Sequence, residues 1–447
     1  MFTTLSSRSP NKKHMSQLRL LTRRRFIPLF ATQFFGALND NVFRFAIIVF
    51  VTFKLPESTV SDTKSLVAVT TAIFILPFFL ISGIAGQIAD KYEKSRIIRN
   101  LKNIEIILAL LAGIGFYFQN FPALLIILFF MGTQSTFFGP IKYSLLPQHL
   151  KADDLTGANG LIQAGTYAAI IIGGFLGGIM IGTSQEKDLN LLIAMCIIAC
   201  AGRFSAHFIP EAAANAADLK ITLNPLVSGW NLIQTNLVRN ETGTIIILIS
   251  LFWFMGSAYF TLIPIYGKEL LDATAANVSL LTLALAIGVG IGSVICEKIS
   301  RQTIDLGLVS IAITLISIVS IEVYLLGERS AITQQCNTFP FFVIQCFDRF
   351  FIDMIILGVA GALYVIPLYA ALQNRIDRTH RARTMAALNI MNAFFMVVSS
   401  LFTIALFHFE IATHYIFASV GILNGLVTLY ASLYIPEIIW KNKKASY

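Results

Sequence analysis

The stretch Gly86-Gln87-Ile88-Ala89-Asp90-Lys91-Tyr92-Glu93-Lys94-Ser95-Arg96 decides the fold of this chain. It joins two apolar runs, 65–89 and 97–117, each close to the roughly 20 residues that an α-helix needs to cross a bilayer. A short charged turn between two such runs marks where a chain leaves the membrane and re-enters it on the same side. Reading outward gives ten more runs: 26–53, 122–146, 156–183, 189–209, 243–266, 275–297, 304–326, 350–372, 384–408 and 413–436. Residues 338–349 are ambiguous; they either lengthen the tenth span or lie at the interface, because Asp348 and Arg349 interrupt them. Composition agrees with twelve spans. Of the 447 residues 56% are hydrophobic and only 13% charged, against roughly 25% charged in a soluble domain. That excludes a soluble enzyme, a disordered chain and a single-span receptor. Continuous apolar runs also exclude a β-barrel, whose strands alternate.

The net charge of +9 marks sidedness, not nucleic acid. Residues 1–25 carry Arg8, Lys12, Lys13, Arg19, Arg23, Arg24 and Arg25 and no acid. An even number of spans puts both termini on one side. That side also holds the Lys91–Lys102 cluster, Arg375, Arg378, Arg381, Arg383 and the Lys441–Lys444 tail. The other side has only Lys54, Lys64, Lys187, Lys268 and Arg329. The positive-inside rule therefore predicts cytoplasmic termini. The N-terminus lacks the short apolar core and cleavage site of a secretory signal. Five cysteines make no disulfide framework. Cys196 and Cys200 have no second ligand pair for a metal, and a Cys336–Cys346 bridge is left open. No metal or other cofactor is expected.

A polar stretch, 210–242, divides the chain. The expected organisation is a basic tail (1–25), an N-terminal six-helix bundle (26–209), a cytoplasmic linker (210–242), a C-terminal six-helix bundle (243–436) and a second tail (437–447). The halves resemble each other in helix order. Phe34-Phe35-Gly36-Ala37 matches Phe254-Met255-Gly256-Ser257, Gly86 matches Gly292, Pro140 matches Pro367, and Asn159 matches Asn389. Two such repeats predict an all-α membrane protein with twelve transmembrane helices in two pseudo-symmetric six-helix bundles.

Ionisable groups inside a bilayer persist only when paired or facing a wet cavity. Span 1 carries Gln33, Asn39, Asp40, Asn41 and Arg44. Asp40 and Arg44 are i,i+4 neighbours and are expected to pair; the extra amides argue for a substrate cavity over a self-contained pair. Span 4 ends with Pro140, Lys142 and Tyr143. Lys142 reads either as a snorkelling anchor or as a cation for a phosphate or carboxylate, and Pro140 as a kink suited to a gate. Asn159 and Gln163 share a face of span 5 and, with Tyr143, are candidates for the same polar substrate site, while Gly173, Gly174, Gly177 and Gly178 suit tight helix packing. The C-terminal half offers Trp253, Phe254, Tyr259, Asn389 and Asn392 instead, with no ionisable residue deep in spans 7, 8 or 11. Charge on one half and aromatic surface on the other suit an amphipathic substrate. His149 and Asp154 have an acyltransferase-like spacing, but no accompanying catalytic domain, so the spacing reads as coincidence.

The Gly86–Arg96 stretch resembles the signature loop of the major facilitator superfamily, G-x-L-A-D-R-x-G-R-R, with Glu93 where the pattern has glycine. The resemblance implies a latch built on Gly86, Asp90, Lys91 and Arg96, with Asp90 meeting a basic residue or a helix N-terminus of the other half. Gly36 to Asn41, Pro140-Ile141-Lys142-Tyr143, Ala158-Asn159-Gly160-Leu161, Val365 to Gln373 and Arg381 to Asn389 resemble the bacterial lysophospholipid transporter family. That likeness implies an inner-membrane flippase carrying lysophospholipids from the outer to the inner leaflet. Some members of that family are fused to acyltransferase and acyl-carrier-protein synthetase domains; here any such partner is expected to be a separate polypeptide. Asp40 and Lys142 become candidate head-group or gating residues, in a protein expected to work as a monomer. The alternatives are an exporter of a metabolite, siderophore or drug, a membrane-embedded lipid acyltransferase, and a non-transporting scaffold.

Overall fold

A computed structural model describes residues 17–53, 63–182, 189–237, 240–271, 273, 275–300, 303–330, 335–339, 342–433 and 435. Lipid leaves no solvent partner for backbone polar groups, so a spanning segment has to satisfy them within a helix. The apolar runs do so. The helices are α1 (Ile27–Phe53), α2 (Thr63–Leu80), α3 (Ser82–Lys91), α4 (Lys94–Tyr117), α5 (Phe121–His149), α6 (Ala152–Gly182) and α7 (Asn190–His207). After the linker helix α8 (Pro225–Leu237) come α9 (Asn240–Leu271), α10 (Ala275–Ser300), α11 (Gly307–Ser330), α12 (Cys346–Arg375), α13 (Arg381–His408) and α14 (Thr413–Ser432). Among the described residues nine helices are long and apolar enough to cross a membrane. The α2/α3 pair, bent by 48° at Ile81, makes a tenth span, and α4 and α14 fill the third and twelfth positions. The bend follows Pro77, which lacks an N–H for the helical ladder.

One element departs from the all-helical reading. Two short strands, β1 (Gln335–Phe339) and β2 (Phe342–Gln345), pair antiparallel. The ambiguous stretch thus divides: its first part is strand, and α12 begins at Cys346, earlier than the expected 350. The question of a Cys336–Cys346 bridge lies outside the described side chains.

Small residues set the closest helix approaches, as expected for span 5. α1 packs along α6, and a methyl group at Gly173 would lie 2.7 Å from Asn41 Cβ and 2.9 Å from the Leu38 carbonyl. In the C-terminal half α10 and α12 meet through Gly288, Gly292 and Gly358. The cross-half packing runs through α6 with α10 and α12, and through α13 with α2, α3 and α5.

Candidate functional site

The charged turn comes first because it positions the rest. Glu93 has φ −65° and needs no glycine; it serves as the N-cap of α4. Its carboxylate accepts from the backbone N–H of Ser95 (2.8 Å), Arg96 (2.7 Å) and Ala212 (2.9 Å). Burial pushes its carboxyl up, but the Ala212, Ser95 and Arg96 donors outweigh that and hold it below the usual range. The departure from the signature pattern thus adds a cap and ties the turn to the linker.

Asp90 is buried at the end of α3 and reaches the other half. It accepts from the backbone N–H of Ala382 (3.0 Å) and Arg383 (3.1 Å), and from Arg383 Nε (3.2 Å). Both expected partners, a basic residue and a helix N-terminus, are present in the first turn of α13. Asn215 of the linker adds a bond of 3.2 Å. Gly86 permits the approach: a methyl there would fall 2.5 Å from Ala386 Cβ and 3.0 Å from the Ala382 carbonyl. Lys91 and Arg96 lie apart from this contact. Lys91 Nζ sits 5.8 Å from the Tyr92 ring centre, and Arg96 lines a cavity of about 590 Å³ with Asn100, Ile104, Phe130 and Gln134. α5 continues unbroken through Pro140.

Above the turn, α1, α4 and α5 bring five charges together. Asp40 accepts from the Ser135 hydroxyl. Arg44 donates to Asn41 Oδ1 at 2.9 Å and lies over the rings of Phe45 and Phe74 at 5.5 and 5.7 Å. The expected Asp40–Arg44 ion pair is therefore not formed: each side chain takes a different partner, and the two are not within ion-pair distance. Lys102 and Glu105 form a pair at 2.5 Å with side-chain exposures of 1% and 0%. Glu105 also accepts from Gln134 (2.8 Å) and Asn39 (3.3 Å). A methyl at Gly36 would strike Lys102 Nζ, so that glycine makes room for the pair. Asp40 has Glu105, Lys102, Arg44 and Lys142 as charged neighbours. Among the described residues no carboxylate pairs with Lys142, whose Nζ lies 4.8 Å from the Tyr143 ring centre.

The remaining candidates fall into two groups. Gln33 stays within the N-terminal half and donates to Thr166 Oγ1 at 2.7 Å. Tyr143, Gln163 and Asn159 stand at the seam between halves. Tyr143 stacks on Tyr369 with centres 4.5 Å apart and accepts from Gln163 at 3.4 Å. Asn159 and Gln373 exchange two hydrogen bonds, of 2.9 and 3.0 Å. These contacts and those of Asp90 join the two halves at the basic-loop end of the molecule. Further out the facing surface turns aromatic: Tyr167 stacks on Phe260 at 6.4 Å, and a cavity of about 40 Å³ is lined by Tyr167, Phe252, Gly256 and Tyr259.

Sequence reasoning missed Lys102 and Glu105 as site residues. Lys102 was grouped with the basic loop, although it lies eight residues into α4 and has an acid three residues on, a spacing that puts both on one helix face. It also left Gln373 and Asp353 unassigned. Asp353 is buried in α12, and neither carboxylate oxygen has a hydrogen-bond partner among the described residues.

Comparison with known proteins matches this arrangement. The chain is 26% identical over 354 residues to the lysophospholipid transporter LplT of Escherichia fergusonii, spanning 77% of this chain and 78% of that protein. It is 27% identical over 350 residues to LplT of Citrobacter koseri, spanning 77% and 79%. Among solved structures, a bacterial homologue of the iron transporter ferroportin in an outward-facing state superposes with a TM-score of 0.60 at 14% identity, covering 91% of this chain and 99% of that one. FucP in its outward conformation gives 0.63 at 11%, covering 92% and 99%. The family model of the major facilitator superfamily matches residues 29–333. With twelve helices in this arrangement and a model match over most of its length, the chain belongs to the major facilitator superfamily.

Proposed function

We propose that this protein moves lysophospholipids across the bacterial inner membrane, from the outer to the inner leaflet, by rocking of its two six-helix halves (26–209 and 243–436) about a midplane site. In this reading both termini and the 210–242 linker are cytoplasmic, as the basic loops require. Lys142 carries the proposal: a cation within α5 that, among the described residues, pairs with no carboxylate and has Asp40 as a charged neighbour. A zwitterionic head group offers a phosphate to Lys142 and an ammonium to Asp40. Arg44, Gln33, Asn39 and Asn41 border that position, and the single acyl chain lies against the aromatic side. Tyr143, Asn159 and Gln163 act as the inner seal, and Gly86 and Asp90, meeting Ala382 and Arg383, as the gate. The relatives' names support the lipid as cargo. The protein is proposed to act as a monomer, passing its cargo to a separate acylating enzyme.

The test is uptake of labelled lysophosphatidylethanolamine into spheroplasts. Expression raises uptake, and Lys142→Ala lowers it at least about tenfold, the loss expected for a charge-assisted contact. The exposed Lys220→Ala serves as the matched control. Equal uptake with and without a correctly folded protein overturns the lipid assignment. Equal loss in both lysine variants overturns the role of Lys142.

A further inference from the structure

The first turns of the linker helix α8 point apolar side chains outward, the reverse of a water-facing segment. Its protein-facing side carries Ser228, Gly229 and Asn236, all buried. Its open side carries Leu226, Val227 and Trp230, exposed by 71%, 45% and 61%, with Leu223 just before the helix 75% exposed, and toward the C-terminal end the exposed Asn231, Gln234 and Thr235.

Its depth identifies what meets that side. A methyl at Gly83 would lie 2.7 Å from Ser228 Oγ and 2.8 Å from the Gly229 nitrogen. Gly83 is eight residues inside the charged end of α3, roughly 12 Å at 1.5 Å per residue. A methyl at Gly229 would touch Ile390 at 3.5 Å. Ile390 is nine residues into α13, about 13 Å along it by the same rise. The middle of α8 therefore packs about two turns in from the charged ends of α3 and α13, a level comparable with the roughly 5–10 Å that the apolar faces of surface-lying amphipathic helices reach into the headgroup–acyl boundary.

The buried side ties the two halves together. Gln87 of α3 donates to Ser228 Oγ at 2.5 Å and accepts from the Thr222 backbone at 2.8 Å. Thr384 of α13 donates to Asn236 Oδ1 at 2.8 Å. Gln87 and Thr384 flank the Asp90 latch, so one helix covers the α3–α13 seam just where the latch joins it.

We propose that α8 is a leaflet-embedded strap, its apolar side immersed in acyl chains and its polar side closing the α3–α13 seam against lipid while the latch is engaged. The insertion stands whatever the cargo is. The closing role rests on the lysophospholipid reading: a lipid leaving sideways into the inner leaflet needs this seam, so α8 has to shift before release.

Two experiments test it. With Trp253 and Trp440 replaced by phenylalanine, Trp230 is the sole fluorophore in proteoliposomes of phosphatidylcholine and phosphatidylglycerol. Lipids brominated on their chains are expected to quench it at least twofold, and aqueous iodide hardly at all. Iodide quenching without bromine quenching overturns the insertion, as does cross-linking of Leu226→Cys to a second copy, which would make this face a dimer contact. In a background with the native cysteines replaced by serine, an Asn236→Cys/Thr384→Cys disulfide fixes α8 to α13. It is expected to stop lysophospholipid movement until reductant is added. Bromine quenching with undiminished movement by the cross-linked protein overturns the strap but leaves the cargo intact. Bromine quenching in a parent protein that moves no lysophospholipid overturns the cargo and the closing role, and leaves the insertion standing.

Discussion

Side chains in the N-terminal half divide sharply into paired and unpaired charge. Lys102 and Glu105 satisfy each other, and Gln134 and Asn39 occupy the remaining carboxylate positions. Removing one partner of a buried pair strands the other, at a cost of about 3–5 kcal/mol, whereas replacing both by apolar groups is often close to neutral. Glu105→Gln is therefore expected to lower the unfolding temperature in detergent far more than a Lys102→Met/Glu105→Leu double variant. Equal losses would mean the pair contributes net stability beyond mutual compensation. Lys142 is the converse case, and its loss is expected to appear in transport more than in stability. The sequence showed Asp40 and Lys142 because each is an isolated charge in an apolar run. It concealed the Lys102–Glu105 pair, since a lysine near a basic loop looks like topology, and it misplaced Arg44, because i,i+4 spacing fixes proximity but not which neighbour a long side chain chooses. Here Asn41 and two aromatic rings compete successfully with Asp40.

At the level of elements the α3–α4 turn combines a latch with a cap. Gly86 and Asp90 were legible from their spacing, whereas the function of Glu93 needed the Ala212 contact from 119 residues away. Lys94, just before the third span, is fully buried beside Asp90 and donates weakly to the Ala213 carbonyl at 3.4 Å. Burial, with Arg381 nearby, lowers its ammonium to about 8 despite Asp90 and Glu93. A lysine held below its unfolded value of 10.5 favours the unfolded chain while it is charged. Stability is thus expected to rise as pH climbs from about 8 toward 10.5, because over that window the unfolded state binds more protons. The difference in unfolding temperature between wild type and Lys94→Met, followed from pH 7 to 10, reads this directly. A flat difference would remove Lys94 from the account. The β1–β2 pair shows the limit of pattern reading for elements: short mixed segments beside a span carry no decisive periodicity.

For the whole molecule the twelve-helix plan was readable because every span must be apolar and every loop charge must respect sidedness. The seam between halves was not readable, since its contacts join residues far apart in the chain, with no local pattern to mark them. The reciprocal Asn159–Gln373 bonds are the clearest instance. Both amides are fully buried, so a single replacement leaves the survivor without its partner and costs about 1–3 kcal/mol, while losing both is milder. Asn159→Leu and Gln373→Leu are each expected to destabilise the closed state, and the double variant by clearly less than their sum. Protection of a cysteine at position 163 from a water-soluble maleimide measures that closure. Additive losses would show that the two amides act separately.

That reciprocity also leaves a mark on descent. Each amide is both donor and acceptor for the other, so neither position can drift alone without orphaning a buried polar group. Among relatives that keep this inner seal, substitutions at 159 and 373 should arrive together, and an amide at one position opposite an aliphatic residue at the other should be rare.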